Sequence, residues 1–185
     1  NNGAGVFLDV TSTNLPGIPL NSFAVAAADV DDDGDIDLVF ADSGPSTFGG
    51  SGGQPRLYLN DGTGHFSDVT SSALPSVLIV GSTAAAFADV DGDFDLDLIV
   101  VSKAGQSRLF FNDGLGHFTA GTLPPDGNST YHYALGDLDG DNDPDIFVIG
   151  VNGLAEGEFR NNGAGVFTDV SATAVVGNPG SSDDN

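Results

Sequence analysis

The sequence contains no cysteine, methionine or tryptophan, and only four of its 185 residues are basic. Without cysteine, disulfides cannot hold the fold together. Nucleic acids and anionic membrane surfaces are bound through Lys and Arg, so neither is an expected partner of a chain with a net charge of −23. No apolar run approaches the roughly 18 residues of a membrane-spanning helix, and membrane insertion is not expected.

Signals for helices are also scarce. Only two glutamates occur, Glu156 and Glu158, whereas glycine contributes 27 residues. No long segment repeats apolar residues every 3.6 positions, so the sequence favours strands joined by turns. Apolar residues nevertheless make up 39% of the chain, which is enough for the hydrophobic core of one domain.

Aspartate is present in excess and occupies every second position of three nine-residue runs. The runs cover residues 29–37, 89–97 and 137–145 and hold 16 of the 27 acidic residues. Carboxylates this close together repel one another unless a cation lies among them. Hard oxygen ligands in a flexible loop suit Ca²⁺ better than Mg²⁺, which demands a strict octahedron. The alternative, solvated acidic turns without metal, is disfavoured because three copies recur in phase.

A second motif repeats in step with the aspartate runs. The pattern Asn-Asn/Asp-Gly-x-Gly-x-Phe begins at residues 1, 60, 112 and 161, and steps of this size indicate solenoids, propellers or arrays. Each unit is predicted to have four strands. A strand of small residues precedes the acidic loop, a dense apolar strand follows it, a third strand ends at the Asn, and a fourth begins at the Phe. The prediction is an all-β fold of four-stranded antiparallel β-propeller blades.

The repeats predict three full blades and an N-terminal orphan strand. The predicted ranges are 1–12 for the last strand of a preceding or partner blade, 13–71, 72–122 and 123–172 for the three blades, and 173–185 for a flexible tail. Propellers close with roughly 4–8 blades. Three blades are therefore expected to belong to a larger ring or to be completed by neighbouring chains, as a homo-oligomer or a filament.

The aspartate runs and the glycine turns together resemble the FG-GAP/VCBS repeat family, which supplies calcium-binding blades to integrin α-subunit propellers and to many secreted bacterial proteins. The resemblance covers nearly all of residues 1–170. Its pattern Asp-x-Asp-x-Asp-Gly-x-x-Asp implies one Ca²⁺ in each of three loops. The implied side-chain ligands are Asp29, Asp31, Asp33 and Asp37 in the first loop, Asp89, Asp91, Asp93 and Asp97 in the second, and Asp137, Asp139, Asp141 and Asp145 in the third. The implied backbone-carbonyl ligands belong to Asp35, Asp95 and Asp143.

The sixth position of the loop pattern differs among the three copies. Gly34 suits the positive φ of a sharp turn, whereas Phe94 and Asn142 stand there in the other two loops. Because Asn tolerates positive φ and Phe does so poorly, the second loop is predicted to have the least favourable geometry and to bind its ion most weakly.

The predicted function is a calcium-binding extracellular or cell-surface module for adhesion or scaffolding, with a protein or a glycan as its ligand. Millimolar calcium is extracellular, and Asn128 lies in a glycosylation sequon. No nucleophile motif or phosphate-binding glycine loop is present, so the chain is not expected to be an enzyme. Two alternatives stay open: a structural subunit of an extracellular fibre or other homopolymer assembled through open blade edges, and the non-catalytic part of a larger secreted enzyme.

Overall fold

The computed structural model describes residues 3–44, 52–126, 130–150 and 156–171, and within them it contains three separate four-stranded sheets. The first blade comprises β1 (Ser22–Ala28), β2 (Asp37–Asp42), β3 (Arg56–Asn60) and β4 (Phe66–Asp68). The second comprises β5 (Ser82–Ala88), β6 (Asp97–Ser102), β7 (Arg108–Asn112) and β8 (Phe118–Ala120). The third comprises β9 (Thr130–Gly136), β10 (Asp145–Gly150), β11 (Gly157–Arg160) and β12 (Thr168–Asp169).

All strand pairs in these sheets are antiparallel, and the strands of each sheet follow one another in chain order. Two four-residue helices precede the first and second blades, α1 (Thr11–Asn14) and α2 (Thr70–Ala73). The predicted all-β fold of propeller-type blades is therefore confirmed. None of the helices in the described part of the chain has the length and apolar character needed to cross a membrane.

The hydrophobic cores lie between successive blades. Leu98 of β6 belongs to a cluster with Val39 and Leu57 of the first blade, whereas its neighbour Ile99 belongs to a cluster with Ile146 of the third blade. Every residue of β6 is buried. The dense apolar strand lacks alternation because both of its faces are covered, one by the preceding and one by the following blade.

The N-terminal strand predicted within residues 1–12 is not formed. Residues 6–10 lie outside any strand and lead into α1, and Phe7 is exposed. The equivalent strand β4 exists because it pairs with β3 of its own blade. Among the described residues, no third strand lies beside residues 6–10, so a β-ladder does not form there.

The N-terminal segment instead lies against the first blade. The Asn14 side chain donates a hydrogen bond of 2.9 Å to the Gly64 carbonyl. Val10 and Leu15 line a groove of about 290 Å³ together with Leu38 and other residues of the first blade. Helix α2 occupies the equivalent position before the second blade, where Ala73 is part of the core between blades.

Each sheet lies within one of the three predicted blade ranges, and the limits of those ranges stay predictions. The predicted tail at 173–185 and the sequon residue Asn128 lie outside the described residues.

Candidate metal centres

The three aspartate runs form the hairpins that join the first and second strands of each blade. In every hairpin the backbone N–H of the sixth residue donates to the carboxylate of the first, which closes the loop. These bonds run from Gly34 to Asp29 (2.9 Å), from Phe94 to Asp89 (3.1 Å) and from Asn142 to Asp137 (3.1 Å). A second repeated bond runs from the seventh residue to the carboxylate of the fifth. The three loops therefore share one backbone design.

Phe94 does not distort the second loop. Its φ is +76°, close to the +75° of Asn142 and in the same left-handed region as the +91° of Gly34. The side chain is 92% exposed, so it avoids a clash by projecting into solvent. The second loop thus follows the same backbone path as the other two, and the left-handed backbone of a bulky residue at this position costs on the order of 1 kcal/mol or more.

The loops bring carboxylates together into three groups, within each of which one oxygen per residue lies within 4.8 Å of the others. The groups are Asp29, Asp31 and Asp33, then Asp89, Asp91 and Asp97, and finally Asp137, Asp139 and Asp145. Three other predicted side-chain ligands, Asp37, Asp93 and Asp141, do not join these groups.

The family pattern implies the backbone carbonyl of the seventh loop residue as a ligand. The side chain of this residue lies against the glycine turn between the third and fourth strands. A Cβ added to Gly114, in the turn between the third and fourth strands, would lie 2.6 Å from Asp95 Oδ2. Asp35 and Asp143 lie equally close to the equivalent glycines. The seventh side chain therefore packs on this turn, and its carbonyl stays a predicted ligand.

Several carboxylate oxygens in these loops receive no hydrogen bond from any part of the chain that the structure describes. Oδ1 of Asp29, of Asp31 and of Asp91 is buried without a hydrogen-bond partner. A buried carboxylate oxygen that is left unpaired is costly unless a cation binds it. The donor set contains only hard oxygens, which suit a divalent cation such as Ca²⁺. The residues of the first two loops therefore fit a metal ion.

The ninth aspartate of each loop has a structural role that its place in the run does not indicate. Asp97 is fully buried, and its two oxygens accept the backbone N–H groups of Val90 (3.0 Å) and Asn112 (2.9 Å). One carboxylate thus ties the start of the acidic loop to the end of the third strand. The equivalent bonds join Asp37 to Val30 and Asn60, and Asp145 to Leu138 and Asn161.

Burial and mutual repulsion raise the pKa of several loop carboxylates. Burial raises the pKa of Asp97 to about 6, against the opposing effect of its two backbone donors. Burial also raises the pKa of Asp37, Asp31 and Asp91, and neighbouring aspartates add to the rise. In the third loop, the backbone N–H of Gly140 and further donors lower the pKa of Asp137. Burial and neighbouring aspartates also raise the pKa of Asp143 in that loop, so crowded carboxylates repel one another in all three loops.

We expect the metal-free protein to lose stability as pH rises. A carboxyl group whose pKa is higher in the folded state stabilises the fold at low pH, and this contribution disappears as pH rises through the folded-state pKa. For Asp97, with a pKa of about 6, the loss between about pH 4.5 and about pH 7 is about 2 kcal/mol. Chemical denaturation in EGTA measures it, and a free energy of unfolding that is constant or rises over this range would contradict the prediction.

The Asn-x-Gly-x-Gly turn contacts the acidic loop of the preceding blade. This contact was not predicted from the sequence. The Asn112 side chain donates to the Val30 carbonyl (2.8 Å) in the first loop, and the Asn161 side chain donates to the Val90 carbonyl (2.7 Å) in the second. The regular alternation of the two motifs along the chain was the available signal. The first two acidic loops are therefore also part of the contacts between blades.

The last glycine of this turn permits the close approach. Gly165 has a φ of +67° and donates its N–H to the Val90 carbonyl at 2.8 Å. A Cβ at this position would lie 2.3 Å from the Phe111 ring and 3.4 Å from Asp91 Cβ. Only glycine combines the positive φ with this contact distance, so the motif preserves an interface between blades as well as a tight turn.

Three blades, each with an acidic hairpin between its first two strands, define a propeller-type repeat protein, and in the second and third blades the glycine turn contacts the preceding hairpin. The family model described as FG-GAP-like repeat matches residues 42–100 and 89–148. Since these matches together span more than half of the chain, the chain belongs to the FG-GAP-like repeat family, as the resemblance predicted. No curated protein sequence matches the chain.

Proposed function

We propose that this chain is a calcium-binding, extracellular propeller module that binds a protein or glycan ligand and is not itself an enzyme. The observation that carries the proposal is the set of three acidic hairpins, in two of which buried carboxylate oxygens lack a donor. Flexible, carboxylate-rich loops are typical of calcium sites, and weak modules of this kind operate in the millimolar calcium outside cells. Three ions are proposed, one for each loop.

Calcium in this proposal stabilises the contacts between blades. In the first two hairpins the ion would neutralise a loop whose second residue, Val30 or Val90, already accepts a hydrogen bond at its carbonyl from the following blade. Ordering the hairpin thereby orders the surface on which the next blade packs. Metal binding of this kind contributes directly to the free energy of folding.

The ligand is proposed to bind at the end of the first blade that lies away from its acidic loop. Strand β2 begins beside the loop at Asp37 and ends at Asp42, which lines a cleft of about 560 Å³. This volume lies within the range of small-molecule sites. Both polar and apolar side chains line the cleft, which suits recognition of a sugar or a peptide. The lining side chains include Leu20, Asn21, Asp42, Gln54, Arg56 and Leu78.

A binding screen tests this proposal. Immobilised glycans and extracellular-matrix proteins are probed with the protein in calcium and in EGTA. We expect binding only in calcium, with loss of binding in Arg56→Gln. The matched control is Arg108→Gln, because Arg108 begins β7 as Arg56 begins β3 but does not line the cleft. Binding that persists in EGTA, or that both variants retain, would contradict the proposal, and release of glycan fragments would indicate an enzyme.

A structural homopolymer is the second candidate, and the open face of the first blade favours it. Val25 is exposed on β1, whereas the equivalent Ala85 of β5 packs into the core between blades. An apolar side chain on an uncovered blade face favours association. Light scattering separates the two candidates, because open polymers that lengthen with concentration indicate the fibre and a discrete particle indicates the binding module.

A further inference from the structure

The third blade differs from the other two on one face of its third strand. In the first blade this face carries Leu57 and Leu59, and Leu57 is buried in the core that meets the second blade. The second blade carries apolar residues at the same positions, Leu109 and Phe111. The third blade instead carries Glu158 and Arg160.

Arg160 reaches from this strand to the acidic loop of its own blade. Its Nε donates to Glu158 Oε1 at 2.7 Å, and its Nη1 donates to Asp139 Oδ2 at 2.6 Å. Glu158 is buried, with a side chain only 10% exposed, so it holds the guanidinium in place. Asp139 is the third residue of the loop and belongs to the group of Asp137, Asp139 and Asp145.

Within the described ranges, the equivalent carboxylates of the other loops have no arginine partner. Asp31 and Asp91 occupy the same third position, and each has a buried Oδ1 without a hydrogen-bond donor. In the third loop a charge-assisted pair to Asp139 supplies positive charge from the protein itself. Such pairs are roughly twice as strong as neutral hydrogen bonds, and a guanidinium stays charged at every physiological pH.

We propose that Arg160 is a built-in cation of the third loop and competes with Ca²⁺ for Asp139. The third loop, rather than the second, is then the weakest of the three calcium sites. An incoming ion must displace the guanidinium from a carboxylate that it needs, or bind beside a second positive charge. This inference rests on the proposed calcium binding.

The test is a calorimetric calcium titration of the metal-free protein and its Arg160→Leu variant, with NMR signals of the Gly140 amide reporting the third loop. Leucine is chosen because Leu59 stands at this position in the first blade. We expect two tighter sites and one weaker site in the wild type, and a third site that is tighter by about tenfold or more in the variant.

Controls separate the local effect from a change in net charge. Arg108→Leu removes the same charge from the exposed first residue of β7, at the far end of that strand from its acidic loop, and should leave all three sites unchanged. If removal of Arg160 leaves buried Glu158 unpaired and prevents folding, the double variant Glu158→Leu/Arg160→Leu restores the leucine pair of the first blade and is titrated instead.

The outcomes distinguish this inference from the proposal on which it rests. Three sites of equal strength in the wild type, or a third site that is no tighter without Arg160, would overturn the role of Arg160 and leave calcium binding intact. An absence of calcium binding in both the wild type and the variants would overturn both.

Discussion

Replacing Asp97 by alanine should destabilise the calcium-loaded protein by about 4 kcal/mol. Asp97 is fully buried, and its carboxylate accepts the backbone N–H groups of Val90 and Asn112. Removal of the acceptor leaves both donors without a partner, and each buried unsatisfied donor costs about 1–3 kcal/mol. The substitution also opens a cavity and removes one carboxylate from the second metal group. Urea denaturation in saturating calcium measures the loss.

Asp93→Ala is the matched control for this experiment. Asp93 is a predicted ligand of the same loop, but it is exposed and accepts a single N–H, from Asp95. Both variants lose one negative charge from the same loop, so the excess loss in Asp97→Ala reports the two backbone bonds together with the cavity and the carboxylate removed from the second group. An excess below about 1 kcal/mol would contradict the structural role of the ninth aspartate.

The repeated elements could be predicted from the sequence because their signals are local. Alternating aspartates and the glycine turns predicted the hairpins, and dense apolar runs such as residues 98–101 predicted strands covered on both faces. A positive φ at the sixth loop position was also predictable from Gly34. The phase between the two motifs then predicted four strands per blade.

Features that depend on distant partners could not be predicted in the same way. In the sequence, Asp97 is indistinguishable from the other aspartates of an alternating run, which predicts a metal ligand. Its hydrogen bond from the Asn112 N–H exists because the fold brings the two residues together. The strand expected near Phe7 fails for a related reason, since a strand requires a neighbour to pair with. Arg160 lies 21 residues from Asp139, and no spacing rule joins them.

The largest expected effect is that of calcium removal. An ion that binds only the folded state at about 100 times its dissociation constant stabilises it by about 2.7 kcal/mol. The first two loops alone should therefore supply about 5 kcal/mol, which corresponds to about 10–20 °C in melting temperature for a domain of this size. Buried oxygens of Asp29, Asp31 and Asp91 would be left unpaired, and the loops would repel.

The central claim is that cations among the three acidic hairpins stabilise the contacts between blades. Its most direct test compares melting curves in millimolar calcium and in EGTA. Native mass spectrometry counts the bound ions in both conditions. We predict bound calcium and a melting temperature that falls by at least about 10 °C on chelation and recovers when calcium, but not magnesium, is restored. Identical melting curves, with no calcium bound at millimolar concentration, would contradict the claim.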